Sequence, residues 1–167
     1  MPLWVLMLLV LTFYSPAVAS SFTADKRDTL RGLSEVSVLV EYLPDDIERE
    51  GLTREHLQRD IEVRLRQAGL HVLTISEVAN SPGAPYLYVA VYPIISPSVS
   101  FTAYAIALTL KQLVQLSRIP TTELFATTWE GPMHFGSLND TRVAGIRSRI
   151  FDAVGRFIVD YRDVNSK

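Results

Sequence analysis

The side chains able to do chemistry are few in this chain, and they are scattered. His56, His71 and His134 are its three histidines. No two are spaced as His-x-x-x-His, the pattern that would turn a pair toward one zinc ion from a helix face. Asp45, Asp46, Glu48 and Glu50 form the densest acidic run. A calcium loop alternates its oxygen ligands around a turn glycine, as in Asp-x-Asp-x-Asp-Gly, and this run lacks it. Two of these carboxylates could serve a hydrolase as acid and base only by facing each other across a cleft; within one polar loop they read as solvated. There is no cysteine, which excludes thiol catalysis and thiolate metal sites. No Gly-x-Ser-x-Gly and no phosphate-cradling glycine loop occurs. No catalytic residue, metal or cofactor is therefore expected, and the chain is expected not to be an enzyme.

Charge narrows the partners further. Sixteen basic residues stand against 18 acidic ones, for a net charge of −2. Such a chain has no field to recruit nucleic acid. Arg142, Arg147, Arg149 and Arg156 fall in the last helical segment, but Asp152, Asp160 and Asp163 are interspersed. That reads as a charged outer face rather than a phosphate or headgroup site.

The residue types best suited to recognition are aromatic. Tyr86 to Ile95 alternates as a strand, with Leu87, Val89 and Val91 on one face and Tyr86, Tyr88 and Tyr92 on the other. If helices cover the aliphatic face, the tyrosines line the open one. A phenol suits a surface that is wet when free and buried when bound. Tyr86, Tyr88, Tyr92 and Trp129 together make the candidate interaction surface, with packing inside the monomer as the alternative, above all for Trp129.

The elements that would position these residues are legible from periodicity. Glu35–Leu43 alternates as a half-buried strand. From Thr53, a capping residue, Leu57, Ile61, Leu65 and Ala68 recur on one helical face, and Gly69 suits the left-handed C-terminal cap. Leu70–Ile75 reads as a strand, 81–85 as a loop, and 96–98 as a turn. Phe101–Leu116 alternates large and small residues as a long strand, 117–121 turns, and Leu124–Glu130 pairs back as a hairpin. Gly131-Pro132 and Gly136 break the chain before an amphipathic helix from Asp140 to Arg162. Asn139-Asp140-Thr141 matches a glycosylation acceptor, but such triplets arise often by chance, and helix capping by Asn139 or Asp140 is the preferred reading.

The order β-α-β-β-β-β-α, with two amphipathic helices, predicts an α+β two-layer sandwich whose helices share one face of a mixed sheet carrying a long antiparallel hairpin. At ~3.3 Å per residue the 101–116 segment would span about 53 Å if straight, against a radius of gyration of about 15 Å for a domain of this size. It must bend, bulge, stop early or project beyond the helix layer.

The beginning of the chain concerns location. Leu3 to Leu11 is uninterruptedly apolar, Ser15-Pro16 breaks it, and Ala17-Val18-Ala19 fits a small-x-small cleavage site before Ser20. Residues 1–19 are read as a cleaved signal peptide, 20–33 as a flexible leader, and 34–167 as one domain. An exported chain without cysteines suits a bacterial periplasmic or secreted protein, with no stable membrane anchor once the signal is removed.

Gly51-Leu52-Thr53, Glu62 through Gly69, Pro85 through Val89, Ala126 through Glu130 and Phe157 through Asn165 together resemble a group of uncharacterised exported bacterial proteins. The order of elements also resembles the small α+β modules of envelope proteins, the TolB amino-terminal domain and the lipoprotein LptE. This chain departs from the latter in lacking a lipidated cysteine. The resemblances imply the fold and transfer no activity or catalytic residue. The function expected is a non-enzymatic binding or assembly module of the cell envelope, acting on a protein partner through its sheet face and hairpin edge. The alternatives are a periplasmic small-molecule or lipid carrier and, from the Asp45–Glu50 carboxylates, a hydrolase.

Overall fold

The computed structural model describes residues 25–95, 102–137 and 142–166. The signal segment, its cleavage site and Asn139-Asp140-Thr141 lie outside them. Six strands form one mixed sheet, and two long helices pack on one of its faces, giving the α+β two-layer sandwich. The strands are β1 (Glu35–Val40), β2 (His71–Val72), β3 (Tyr86–Ile95), β4 (Thr102–Leu116), β5 (Ile119–Glu130) and β6 (His134–Ser137). The helices are α1 (Asp45–Arg49), α2 (Arg54–Gln67), α3 (Ile75–Val78) and α4 (Arg142–Asn165). The sheet order is β2-β1-β3-β4-β5, and β6 lies in line with β5 along the same edge of β4. β1 runs parallel to β2 and β3; the later pairs are antiparallel.

Register explains the core. Val38, Leu87, Leu110 and Trp129 are successive partners across four strands, and Val40, Val89 and Leu108 form the next row. All seven are buried. From α2, Leu57, Ile61 and Leu65 close over these rows, and from α4 come Ile146, Ile150, Ala153, Val154 and Phe157. α2 starts where Thr53 Oγ1 accepts the His56 amide at 3.3 Å. It ends in a Schellman turn, with Gly69 at φ +96°, the Gly69 amide on Arg66 O and the Leu70 amide on Leu65 O. Between the helices, Arg147 pairs with Asp60, and Phe151 lies under the guanidiniums of Arg64 at 4.0 Å and Arg147 at 5.4 Å.

The long strand resolves in one of the ways its length allowed. It runs unbroken, and the shifts in pairing at Leu110/Lys111 and Gln115/Leu116 put the extra residues on its partner β5. Its hairpin with β5 projects past the helices, so that Trp129 is the buried residue of β5 while 119–125 are exposed. Leu110 faces Trp129 but Lys111 faces Thr127, which leaves Thr128 as the extra residue of the first bulge. Gln112 Nε2 donates to Thr128 Oγ1 at 2.7 Å and Thr29 Oγ1 to Thr128 O at 3.0 Å, so the bulge is held by side chains.

Several expectations need correction. The segment read as a flexible leader belongs to the fold from Lys26 onward. Lys26–Leu30 is a 3-10 turn whose Leu30 is wholly buried, and Asn165 ties it down by donating to Leu30 O at 2.8 Å and accepting from the Gly32 amide at 2.7 Å. The strand read over 70–75 stops at Val72. Thr74 and Glu77 make a reciprocal capping box there and start α3 instead. β1 stops at Val40 rather than Leu43, and the acidic run beyond Pro44 is helical.

Trp129 is also corrected. It points toward the helices, not onto the tyrosine surface, and is 1% exposed. Its ring meets Phe157 edge-on at 5.1 Å, and its Nε1 donates to Asp160 Oδ2 at 3.0 Å. Asp160 is itself 1% exposed. Its Oδ1 lies 3.1 Å from Arg156 Nε, an ion pair without the alignment of a hydrogen bond.

Gly136 also acts differently from a simple breaker. It pairs with Tyr104, whose buried ring lies so close that a Cβ on Gly136 would overlap it. Gly136→Ala is expected to destabilise the protein by about 1–3 kcal/mol through overpacking. Gly155→Ala, where a Cβ on α4 meets nothing within 4 Å, should stabilise it by about 0.5–1 kcal/mol. Denaturant unfolding of both variants checks the contrast, and equal effects would contradict the Tyr104 packing. Trp129→Phe should cost about 1–3 kcal/mol by leaving the buried Asp160 carboxylate short of its donor. Asp160→Asn keeps an acceptor for the indole and should cost less in the same assay.

Candidate functional site

The sheet face turned away from α2 and α4 carries the tyrosines. Side chains alternate along a strand, so burying Leu87, Val89 and Val91 under the helices presents Tyr86, Tyr88 and Tyr92 on the other side. Pairing arranges this face in rows. Ser37, Tyr86, Lys111 and Thr127 form one; Leu39, Tyr88, Thr109 and Glu130 the next; Tyr92, Ala105 and Phe135 one further along. Between the aromatics the floor is made of small residues, Ala90, Ala105 and Ala107. Tyr92 is 45% exposed, and Leu39, Phe125 and Phe135 about half or more.

The face is polar as well as aromatic. Lys111 Nζ lies over the Tyr88 ring at 4.4 Å. Burial pushes the Tyr88 phenol well above the usual tyrosine range, and the hydrogen bond it donates to Glu41 adds to the rise. The fold thus favours the neutral phenol. That preference is complete below the ordinary phenol pKa of about 10 and fades only as pH climbs through the raised value. Tyr88 is therefore a fixed donor at neutral pH, held between a cation and a carboxylate. Tyr86 meets Phe125 edge-on with ring centroids 5.5 Å apart.

Trp129 drops out of this constellation, and Phe125 enters it. The two stand four residues apart on β5 and would share a face on a regular strand. The extra residue at Thr128 reverses the alternation between them, sending Trp129 to Leu110 on the helix side and Phe125 to Leu113 on the open side. Nothing in the local sequence marks the bulge. Phe135 was missed for another reason: it lies in β6, a four-residue strand that follows Gly131-Pro132 and itself contains Gly136. Lys111 and Glu41 were legible, since each shares its strand's alternation with the residues beside the tyrosines.

Beside Tyr86 the sheet edge opens into a groove of about 830 Å³, lined among others by Leu39, Leu73, Ile75, Tyr86 and Phe125, with Gln58, Glu62 and Arg66 of α2 on its far side. The other candidate residues stay apart. Asp45 and Glu50 are exposed and Glu48 half-buried along and just after the short α1. His56 sits on α2, His71 on β2 within 3.7 Å of Glu35, and His134 on β6. Among the described residues no three His, Cys, Asp or Glu side chains gather as metal ligands, and no helix is long and apolar enough to cross a membrane.

Comparison with known proteins adds little to this geometry. No protein-family model matches the chain, and none of the curated proteins is similar to it. Among solved structures, a hypothetical protein from Chlamydia trachomatis aligns over 78% of this chain and 92% of its own, with 12% identity and a TM-score of 0.35. A minor lipoprotein from Acinetobacter baumannii aligns over 79% of this chain and 93% of its own, with 10% identity and a TM-score of 0.29. Both are bacterial proteins, and superpositions this loose carry neither fold family nor activity across.

Proposed function

We propose that this chain is a non-enzymatic binding or assembly module of the bacterial cell envelope, and that it engages a protein partner through the open face of its sheet and the free edge of its hairpin. The observation that carries the reading is the uncovered aromatic face, where Tyr88, Tyr92, Phe125 and Phe135 stand around an alanine floor with no described element packed over them. Aromatic side chains on a rigid sheet lose little entropy when a partner buries them. The hairpin supports the same reading. β5 is the last strand in the sheet order, and the 3-10 turn guards its outer edge only at Thr128 and Glu130, through Thr29 and Lys26. Ile119, Leu124 and Phe125 stay exposed along the rest. Natural proteins usually cover such an edge or use it. The envelope enters through the apolar opening of the sequence and its cleavage motif.

A carrier of a small molecule or lipid is the second reading, favoured by the groove beside Tyr86. The two separate in one experiment. Tagged full-length protein is recovered from host envelope after mild crosslinking, beside Tyr88→Ala/Tyr92→Ala, and native mass spectrometry records bound small molecules. A protein partner that the double variant loses, while keeping its thermal unfolding profile, is the expected outcome. A co-purifying small molecule with no protein partner in either sample would replace this reading with the carrier.

A further inference from the structure

β1 has two edges, and the fold uses them unequally. The Ser37 amide donates to Pro85 O at 3.0 Å and the Glu41 amide to Val89 O at 2.9 Å, so the odd-numbered residues of β1 address β3. Strand alternation then turns the amides and carbonyls of Val36, Val38 and Val40 to the outer edge. β2 serves the beginning of that edge: His71 N–H donates to Ser34 O and Leu73 N–H to Val36 O, both at 3.0 Å. The ladder ends there, at Val36–Val72. The capping box of Thr74 and Glu77 leads the chain off into α3. Among the described residues no strand continues beside Val38 and Val40.

The groove of about 830 Å³ opens on this edge at Val38, with Ile75, Ser76 and Val78 of the α3 segment also in its lining, and wraps the edge from one sheet face to the other. Its helix-side wall is polar, with Gln58, Glu62 and Arg66. Its open-face wall is apolar, with Leu39, Tyr86 and Phe125. At its rim stands Ile75, a bulky aliphatic side chain that is 94% exposed.

We infer that this groove receives an extended peptide strand, which adds to β1 in line with β2. Such a strand turns alternate side chains to opposite faces, so the walls dictate its composition. Polar residues face Gln58, Glu62 and Arg66, and apolar ones face Leu39, Tyr86 and Phe125. The polar wall carries one acid and one base, 3.1 Å apart, and so complements a strand bearing both signs. The fold already contains this arrangement once, where β6 follows β5 in line along a single edge of β4. A peptide strand also offers a ladder to the outer edge of β1 beyond Val36, where no described strand continues, as in other strand-addition sites. The site follows the outer edge of β1, away from the free edge of β5; it shares Phe125 with the proposed surface but uses neither Tyr88 nor Tyr92, so variants at those two tyrosines separate it from the proposed function.

The test uses a panel of fluorescein-labelled heptapeptides alternating valine with lysine, glutamate or threonine, titrated against the full chain. Saturable anisotropy is expected for at least one peptide, with amide exchange at Val38 and Val40 slowed at least tenfold in its complex. N-methylation of that peptide's edge-facing amides should weaken binding at least tenfold without changing the protein. Leu39→Lys and Ile75→Ser, both at exposed positions, should weaken it while preserving the unfolding profile, and Tyr88→Ala/Tyr92→Ala should leave it unchanged. The inference is overturned if no peptide in the panel binds at about 1 mM, a free energy of only about −4 kcal/mol. It is equally overturned if N-methylation has no effect, or if Val38 and Val40 exchange as fast in the complex as without peptide.

Discussion

The buried hydrogen bond between Trp129 and Asp160 is the fixed point around which this sheet is arranged. A carboxylate 1% exposed is tolerable only with partners, and the indole is a donor that cannot be supplied by solvent there. The bond joins the last buried residue of the hairpin to the final turns of α4. Phe157 closes against the ring, Lys26 lies over it at 5.9 Å, and the 3-10 turn is thereby drawn onto the same seam. A hydrogen bond to a charged group contributes about 1.5–3 kcal/mol, and edge-to-face aromatic contact adds roughly 0.5–1.5 kcal/mol beyond area burial. Together these are a large fraction of the stability of an ordinary domain.

The bulge at Thr128 lets that anchor coexist with an aromatic residue on the open face. On a regular strand, Trp129 and Phe125 would both point in or both point out. One extra residue lets Trp129 enter the core while Phe125 joins Tyr86 on the open face. It also marks where the hairpin leaves the helix layer. On the near side of the bulge β4 and β5 are packed; beyond it both strands run into solvent with apolar residues still on them. The core anchor and the exposed aromatic surface are two outcomes of the same change in register.

Much of this was readable before the fold was known. The alternation of Tyr86–Ile95 and of the even positions from Tyr104 to Leu110 assigned both faces of the central strands correctly, because a buried face imposes a period of two on its strand. The stripes of α2 and α4 were equally plain, down to Gly69. What escaped depended on partners distant in sequence. Leu30 looks like one apolar residue in a polar leader until Asn165 and α4 are placed beside it. Asp160 looks like a surface acid until Trp129 arrives. Gly136 reads as a breaker, although its lack of a side chain is what admits the Tyr104 ring. The Thr74–Glu77 capping box, by contrast, was present locally and outweighed by the strand-like residues before it.

The functional reading rests on one asymmetry: aromatic side chains left outside on a sheet whose other face is packed under α2 and α4 across its central strands. Hydroxyl-radical footprinting of the isolated chain, read residue by residue, tests it most directly. Tyr92, Phe125 and Phe135 should be oxidised readily, while Trp129, intrinsically the most reactive of the four, should be protected until the protein unfolds. Rapid oxidation of Trp129 in the folded chain, or protection of the other three, would contradict the register that the bulge imposes and the binding face that follows from it.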